Sequence, residues 1–237
     1  MWNIDIKKLA LALACTSSST LMAQVGDARN DFAIGVTGGV NMSSVSFNPS
    51  VKQGSLMGKN AGITLRYTCE KYITAVCAIQ LECNYATQGW KEIADETTAT
   101  FSKTMNYLQF PLLARLAWGR ERKGAQGYIV LGPQMGILLS ESQTMDSDWK
   151  PEDRTHTYQY SHDADNKLDY GITAGAGMEV SSPKLGHFQL EARYYYGLRD
   201  FYDNSSKGYF GRSGHSAITF KVGYLFDILK TKNPNIR

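Results

Sequence analysis

No apolar run in this 237-residue sequence is long enough to cross a membrane as a helix, since the longest clean stretch is Leu9–Cys15 and a spanning helix needs about 18 or more such residues. That excludes a helical membrane protein. It does not exclude a β-barrel, whose strands alternate and never read as long apolar runs. Charge of one sign is also missing. Lys and Arg number 25 against 22 Asp and Glu, a net charge of +3, too small for a nucleic-acid footprint or an acidic-substrate trap. Cysteine is scarce, with four in all, and Cys69, Cys77 and Cys83 show no CxxC spacing. Neither a disulfide scaffold nor a structural zinc site is indicated. Cys69 and Cys77 flank a short turn and could face one another, but they read better as small apolar surface residues. With 43% hydrophobic and 20% charged residues, the composition is not that of a disordered chain.

The N-terminus has the layout of a secretory signal. Lys7 and Lys8 precede the apolar Leu9–Cys15, and small residues follow up to Ala23. Cleavage after Ala23 makes 1–23 the signal peptide, 24–31 a lead-in, 32–228 the folded body and 229–237 a tail. Leu13-Ala14-Cys15 loosely resembles a lipoprotein cleavage box, but the apolar core before it is very short.

The rest of the chain shows period-two alternation in eight segments. In 32–42, Phe32, Ile34, Val36, Val40 and Met42 fall on one face while Ala33, Gly35, Thr37, Gly39 and Asn41 fall on the other. Side chains of a strand point alternately to its two sides, so this is a strand with one greasy face. The pattern recurs in 61–69, 75–86, 107–118, 129–139, 169–180, 188–198 and 218–226, and no greasy face carries a charge. The intervals alternate too. Ser43–Asn60, Gly89–Met105, Ser140–Leu168 and Arg199–Ser216 are long, whereas Glu70–Thr74, Gly119–Gly127 and Ser181–His187 are short. A soluble sandwich has no reason to place all its short turns at one end. An outer-membrane barrel does. The expected fold is all-β: an eight-stranded antiparallel transmembrane up-and-down β-barrel with short periplasmic turns and long extracellular loops.

Such a barrel turns its uncharged faces to hydrocarbon and its other faces inward. The inward set contains Arg66, Arg115, Arg193 and Lys221 with Glu82, Glu179, Glu191 and the rim residue Asp169. Buried charges are very costly unless paired and hydrogen-bonded, and eight strands enclose just enough room for their own side chains. These eight residues are expected to form an interior ion-pair network in place of a solvent channel. Pro111 and Pro133 cannot donate to a ladder, so a bulge or a missing bond is expected there. Trp90, Trp118, Tyr224 and Phe226 fit interfacial girdles, and a plain core assignment suits any one of them equally well. The glycines of Gly175-Ala176-Gly177 make no dinucleotide fingerprint and are read as leaving space for larger neighbours.

Several stretches carry a family resemblance. They are Gly38-Gly39-Val40-Asn41, the nine residues from Tyr107-Leu108-Gln109-Phe110-Pro111 to Arg115, Asp169-Tyr170-Gly171 with Gly175-Ala176-Gly177-Met178-Glu179, and 191–198. In these the chain resembles the PorT-like outer-membrane β-barrel family, most distinctively in Tyr-Leu-Gln-x-Pro-Leu-Leu. The resemblance runs from about Phe32 to Phe226 and implies an eight-stranded barrel, some of whose relatives act with a protein-secretion apparatus.

Catalytic signals are sparse. A lipid-modifying enzyme would need a nucleophile, a histidine base and an orienting carboxylate brought together. His156 and His162 lie in the longest loop with Ser161, Asp163 and Asp165, and His215 enters the last strand from the same end beside Ser213 and Ser216. His187 belongs to the opposite end. The acidic loop 146–165 lacks EF-hand spacing. The reading is therefore a non-enzymatic, cofactor-free outer-membrane barrel for anchoring, recognition or support of an envelope machine. Its expected partners are outer-membrane lipid and an envelope or secretion-apparatus protein, not nucleic acid. The alternative is an outer-membrane lipid-modifying enzyme using the loop histidines.

Overall fold

The computed structural model describes residues 27–72, 74–93, 99–150, 157–202 and 210–231. The expected signal peptide lies outside these residues. Eight strands follow one another: β1 Asp27–Asn48, β2 Gly54–Tyr72, β3 Ala75–Ile93, β4 Thr100–Gly119, β5 Gly124–Met145, β6 Leu168–Ser182, β7 Gly186–Asp200 and β8 Arg212–Leu229. A four-residue helix, α1 (Tyr158–Ser161), lies between β5 and β6. Each strand pairs antiparallel with its successor, and β8 closes back on β1 through a register that includes Val36 opposite Tyr224 and Val40 opposite Phe220. Closure leaves no sheet edge unpaired, which hydrocarbon requires.

The apolar faces point outward. Val36, Ile63, Leu131, Met178, Leu190 and Val222 are among the exposed large hydrophobics. A soluble protein rarely exposes a continuous apolar belt of this kind; lipid is its natural cover.

The strands run 15–22 residues, longer than the eleven or so that 32–42 suggests and longer than the roughly 9–11 that span a bilayer. At the turn end, β1 already begins at Asp27 and β8 runs to Leu229. At the other end, most of the segment expected as a loop after Met42 is strand, and β1 and β2 are joined by residues 49–53 alone. The connection after β3 is likewise only 94–99. Two of the four expected long loops are thus short connectors, and the long ones are 146–167 and 201–211. The reason is a change of surroundings. Above the greasy belt the wall stands in water, so the polarity of the two faces inverts while the side-chain alternation continues. In β1, Val45 and Phe47 turn inward and are buried, whereas Ser46 and Asn48 face out.

The prolines interrupt the ladder without shifting its register. Between Leu81–Leu112 and Asn84–Gln109 of β3–β4, the pairs that would include Pro111 are missing, and the register on both sides is the same. The pairs that would include Pro133 are missing between Pro111–Gln134 and Ala114–Leu131 of β4–β5. These are missing bonds, not bulges. Cys69 and Cys77 are free, with the Cys69 thiol donating to the Cys77 carbonyl at 3.4 Å.

Candidate functional site: the filled lumen

All eight residues expected inside are buried and inward, none more than 6% exposed. The barrel arranges them by height. Nearest the turn end, Glu179 of β6 is the centre of a cluster. It pairs with Arg66 of β2 and, at 3.0 Å, with Arg115 of β4. Gln126 and Gln189 each donate to it at 2.6 Å, Ser181 donates at 3.2 Å, and the His187 imidazole lies 3.1 Å away. One level higher, Glu82 of β3 receives both guanidinium nitrogens of Arg193, at 2.9 and 2.6 Å, and the Lys221 ammonium at 2.7 Å. Gln80 and Asn84, two positions either side on the same inward face, donate to it at 2.6 and 2.8 Å. Glu191 pairs with the Arg193 Nε. Each of Glu82 and Glu179 is thus surrounded by donors on several strands, the condition under which a buried charge is tolerated.

Asp169 stands outside this network. It lies a further level up, opposite Gly136, and accepts the Tyr195 hydroxyl at 2.8 Å. The physical reason is height. Its side chain faces inward as expected, but it sits above the Glu82 layer, level with tyrosines and not with guanidinium groups.

The inward glycines make room for this packing. A Cβ on Gly177 would sit 2.5 Å from the Tyr128 ring, and that ring lies under the Arg115 guanidinium, 4.1 Å from it. Gly177→Leu is expected to displace both and to destabilise the barrel by about 1–3 kcal/mol, read as a lower urea midpoint for the folded form. An unchanged midpoint would show that the space is not needed.

The upper lumen is closed by a different chemistry. Val45, Phe47, Trp90, Phe101, Met105 and Tyr107 from the tall strands meet Trp149, Tyr160, Phe201, Tyr202 and Phe210 from the two long connections. Trp90 stacks on Phe201 with ring centroids 5.8 Å apart and takes the edge of Phe47 at 5.1 Å. Trp90 is therefore plug and not girdle, whereas Trp118, Tyr224 and Phe226 are exposed on the outer wall near the turn end. Two charged side chains enter this apolar region. Glu92 accepts from Trp90 Nε1 at 3.0 Å and from the Tyr160 hydroxyl at 2.6 Å. Lys103 reaches the His162 carbonyl at 2.6 Å and Glu141 at 3.2 Å.

The turn end has its own closure. Glu121, in the β4–β5 turn, pairs with Arg29 and, at 2.9 Å, with Lys71. Behind it lies a cavity of about 50 Å³ bordered by Arg66, Arg115, Glu179 and His187. A second void, between the Glu82 layer and the upper lumen, measures about 10 Å³. These are spaces for a few waters, not a channel.

Glu92, Lys103, His187 and Glu121 are among the site residues that the sequence does not point to. His187 and Glu121 sit at strand ends or in a turn, where period-two counting stops. Glu92 and Lys103 fall in segments read as loop.

Among the described residues the outer-end histidines do not assemble a catalytic group; at the turn end His187 lies 2.8 Å from the Ser181 hydroxyl through Nδ1 and 2.9 Å from Asp227 through Nε2, with His187 and Ser181 buried in the lumen. His215 is buried beneath Phe201, with Nε2 3.1 Å from the Tyr107 hydroxyl. His162 is exposed, and Ser213 accepts from the Tyr202 amide. His156 lies outside the described residues.

No curated protein matches this sequence. Among solved structures, the chain is similar to the N-terminal β-barrel domain of Pseudomonas aeruginosa OprF, at 14% identity over 84% of this chain and 100% of that one, with TM-score 0.40. It is similar to Neisserial surface protein A at 12% identity, 82% and 97% coverage and TM-score 0.41. It is also similar to the outer membrane enzyme PagL at 13% identity, 81% and 98% coverage and TM-score 0.39. A family model described as outer membrane protein beta-barrel domain matches residues 22–203, from before β1 to just beyond β7. With that match and the closed ring of eight strands, the chain belongs to the outer membrane protein β-barrel domain family.

Proposed function

We propose that this barrel is a closed, non-enzymatic anchor or recognition platform in the outer membrane, working in support of an envelope or secretion machine as the PorT-like resemblance implies. The observation that carries the reading is the filling of the lumen along its length: a Glu179 layer, a Glu82 layer and an aromatic plug in series. A pore needs a continuous wet path, and an enzyme of this class needs a nucleophile and base within hydrogen-bond reach. Ser181 Oγ and His187 Nδ1 lie 2.8 Å apart, but both are buried in the turn-end lumen beside Glu179, away from the outer loops, and the barrel works through its surfaces. Its short turns face the periplasm, and its tall wall and two long connections face outward.

Purified folded protein is expected to leave planar lipid bilayers electrically silent, and cross-linking in membranes is expected to capture an envelope protein. Reproducible single-channel steps from the wild-type protein would defeat the closed reading.

A further inference from the structure

The filled lumen leaves two thiols at the turn end without a role. Cys69 and Cys77 stand on the neighbouring strands β2 and β3, both free and both half-buried. Spacing alone leaves them as small surface residues; the strand register brings them together. Tyr67 lies opposite Ile79 and Thr68 opposite Ala78, but the next pair is Glu70 with Cys77. Cys69 is therefore the extra residue of a β-bulge, and Cys69 and Glu70 together oppose Cys77.

Side-chain direction then fixes which way the thiols point. Thr68 borders the turn-end cavity, and its partner Ala78 is buried. Lys71 reaches inward to Glu121 at 2.9 Å, and its partner Val76 is buried. The two residues between Thr68 and Lys71 both take the outward side, which is also the side of Cys77 between Val76 and Ala78. The Cys69 thiol already spans the gap, donating to the Cys77 carbonyl at 3.4 Å. Facing residues of an antiparallel pair have Cα atoms about 4.5–5.5 Å apart, inside the roughly 4.4–6.8 Å that a disulfide bridges. Cys83 is no competitor, since it lies further along β3 with Ile63 across the ladder.

We propose that Cys69 and Cys77 are an oxidation site: a cross-strand disulfide, made as the chain passes through the periplasm, that clasps the β2–β3 hairpin at its bulge. The oxidant is a protein disulfide of that compartment, which is kept oxidising. One thiolate attacks the carrier's S–S bond to give a mixed disulfide, and the second thiolate displaces the carrier sulfur. The Cys69–Cys77 bond forms, the carrier's bond breaks, and two electrons and two hydrogens end on the carrier as a dithiol. The effect is local. The bulge is what turns Lys71 toward Glu121, and that contact, with Arg29, closes the turn end. A bridge across the short loop 69–77 holds the bulge against local opening. Pairing requires only that the chain be destined for the outer membrane, so conductance through the lumen would leave it standing.

The test uses protein from membranes lysed in acid with excess alkylating agent, which blocks free thiols before air can act. Trypsin cutting after Arg66, Lys71 and Lys91 puts Cys69 in one peptide and Cys77 with Cys83 in the next. In the wild type the two peptides are expected as one species, lighter by two hydrogens than their sum, that separates on reduction. Cys83→Ala is expected to keep that species and Cys77→Ser to abolish it. Hydrogen exchange reads the clasp. Cys69→Ser with Cys77→Ser, or the wild type held in reductant, is expected to exchange at Lys71, Tyr72 and Val76 on the order of tenfold faster, with the gel shift on boiling retained. Both cysteines found alkylated in the wild type, a bridge made by Cys83, or exchange unchanged by reduction would each overturn the proposal.

Discussion

Glu179→Ala is expected to cost the barrel about 3–5 kcal/mol, the size of loss seen when one partner of a buried ion pair is removed and the other charge stays behind. Without the carboxylate, Arg66 and Arg115 lose their shared acceptor in a lumen too tight for bulk water, and Gln126 and Gln189 lose theirs. The readout is the urea midpoint of the compact, fast-migrating form on gels run without boiling. Magnitude also ranks the acids. Glu191→Gln is expected to cost much less, because Arg193 keeps both of its hydrogen bonds to Glu82. A second variant separates charge from shape. Glu179→Leu combined with Arg66→Met and Arg115→Met removes the charges together and is expected to recover much of the loss, as apolar replacement of a buried ion cluster often does. If Glu179→Ala alone unfolds at the wild-type midpoint, the ion layers do not hold the lumen together.

Trp90→Ala and Phe101→Ala should be comparably costly but confined to the outer half. Both side chains are 0% exposed, and truncating a buried aromatic of that size costs about 3–5 kcal/mol. The affected contacts all lie above the belt, so the membrane-embedded part keeps its register and its ion layers. The variants are expected to show rapid protease cleavage of the long connections while the mobility shift on boiling persists. Bilayers are expected to stay silent, because the Glu82 and Glu179 layers still block the path. Trp90→Phe is expected to be mild by comparison: it keeps the ring against Phe201 and forfeits one hydrogen bond to Glu92, worth about 1 kcal/mol. Protease resistance equal to wild type in Trp90→Ala would show that the plug is not what seals the outer end.

The membrane band was the legible part of the sequence. Segment 32–42 announces itself because lipid on one side and a narrow interior on the other impose opposite demands on successive residues, and side-chain direction alone then places Arg66, Glu82, Glu179 and Arg193 inside. Partnership was less legible. Alternation gives the face and not the height, so it places Asp169 with the interior ions although its level puts it beside Tyr195. The plug was not legible by the same template at all. Val45-Ser46-Phe47 and Phe101-Ser102-Lys103-Thr104-Met105 alternate as regularly as the belt, but with apolar residues inward. A search for greasy faces pointing to lipid discards them as loop. The signal that would have found them is an unbroken period of two across a reversal of polarity.

That reversal gives one chain two solvents. In the outer half, apolar side chains leave water when the protein folds, so the hydrophobic effect acts there with its characteristic weakening in the cold. In the membrane half the greasy residues face an apolar medium before and after they meet their neighbours, and cohesion comes from backbone bonding and the ion layers. Cooling is therefore expected to weaken the packing of the aromatic plug while the embedded ring remains intact.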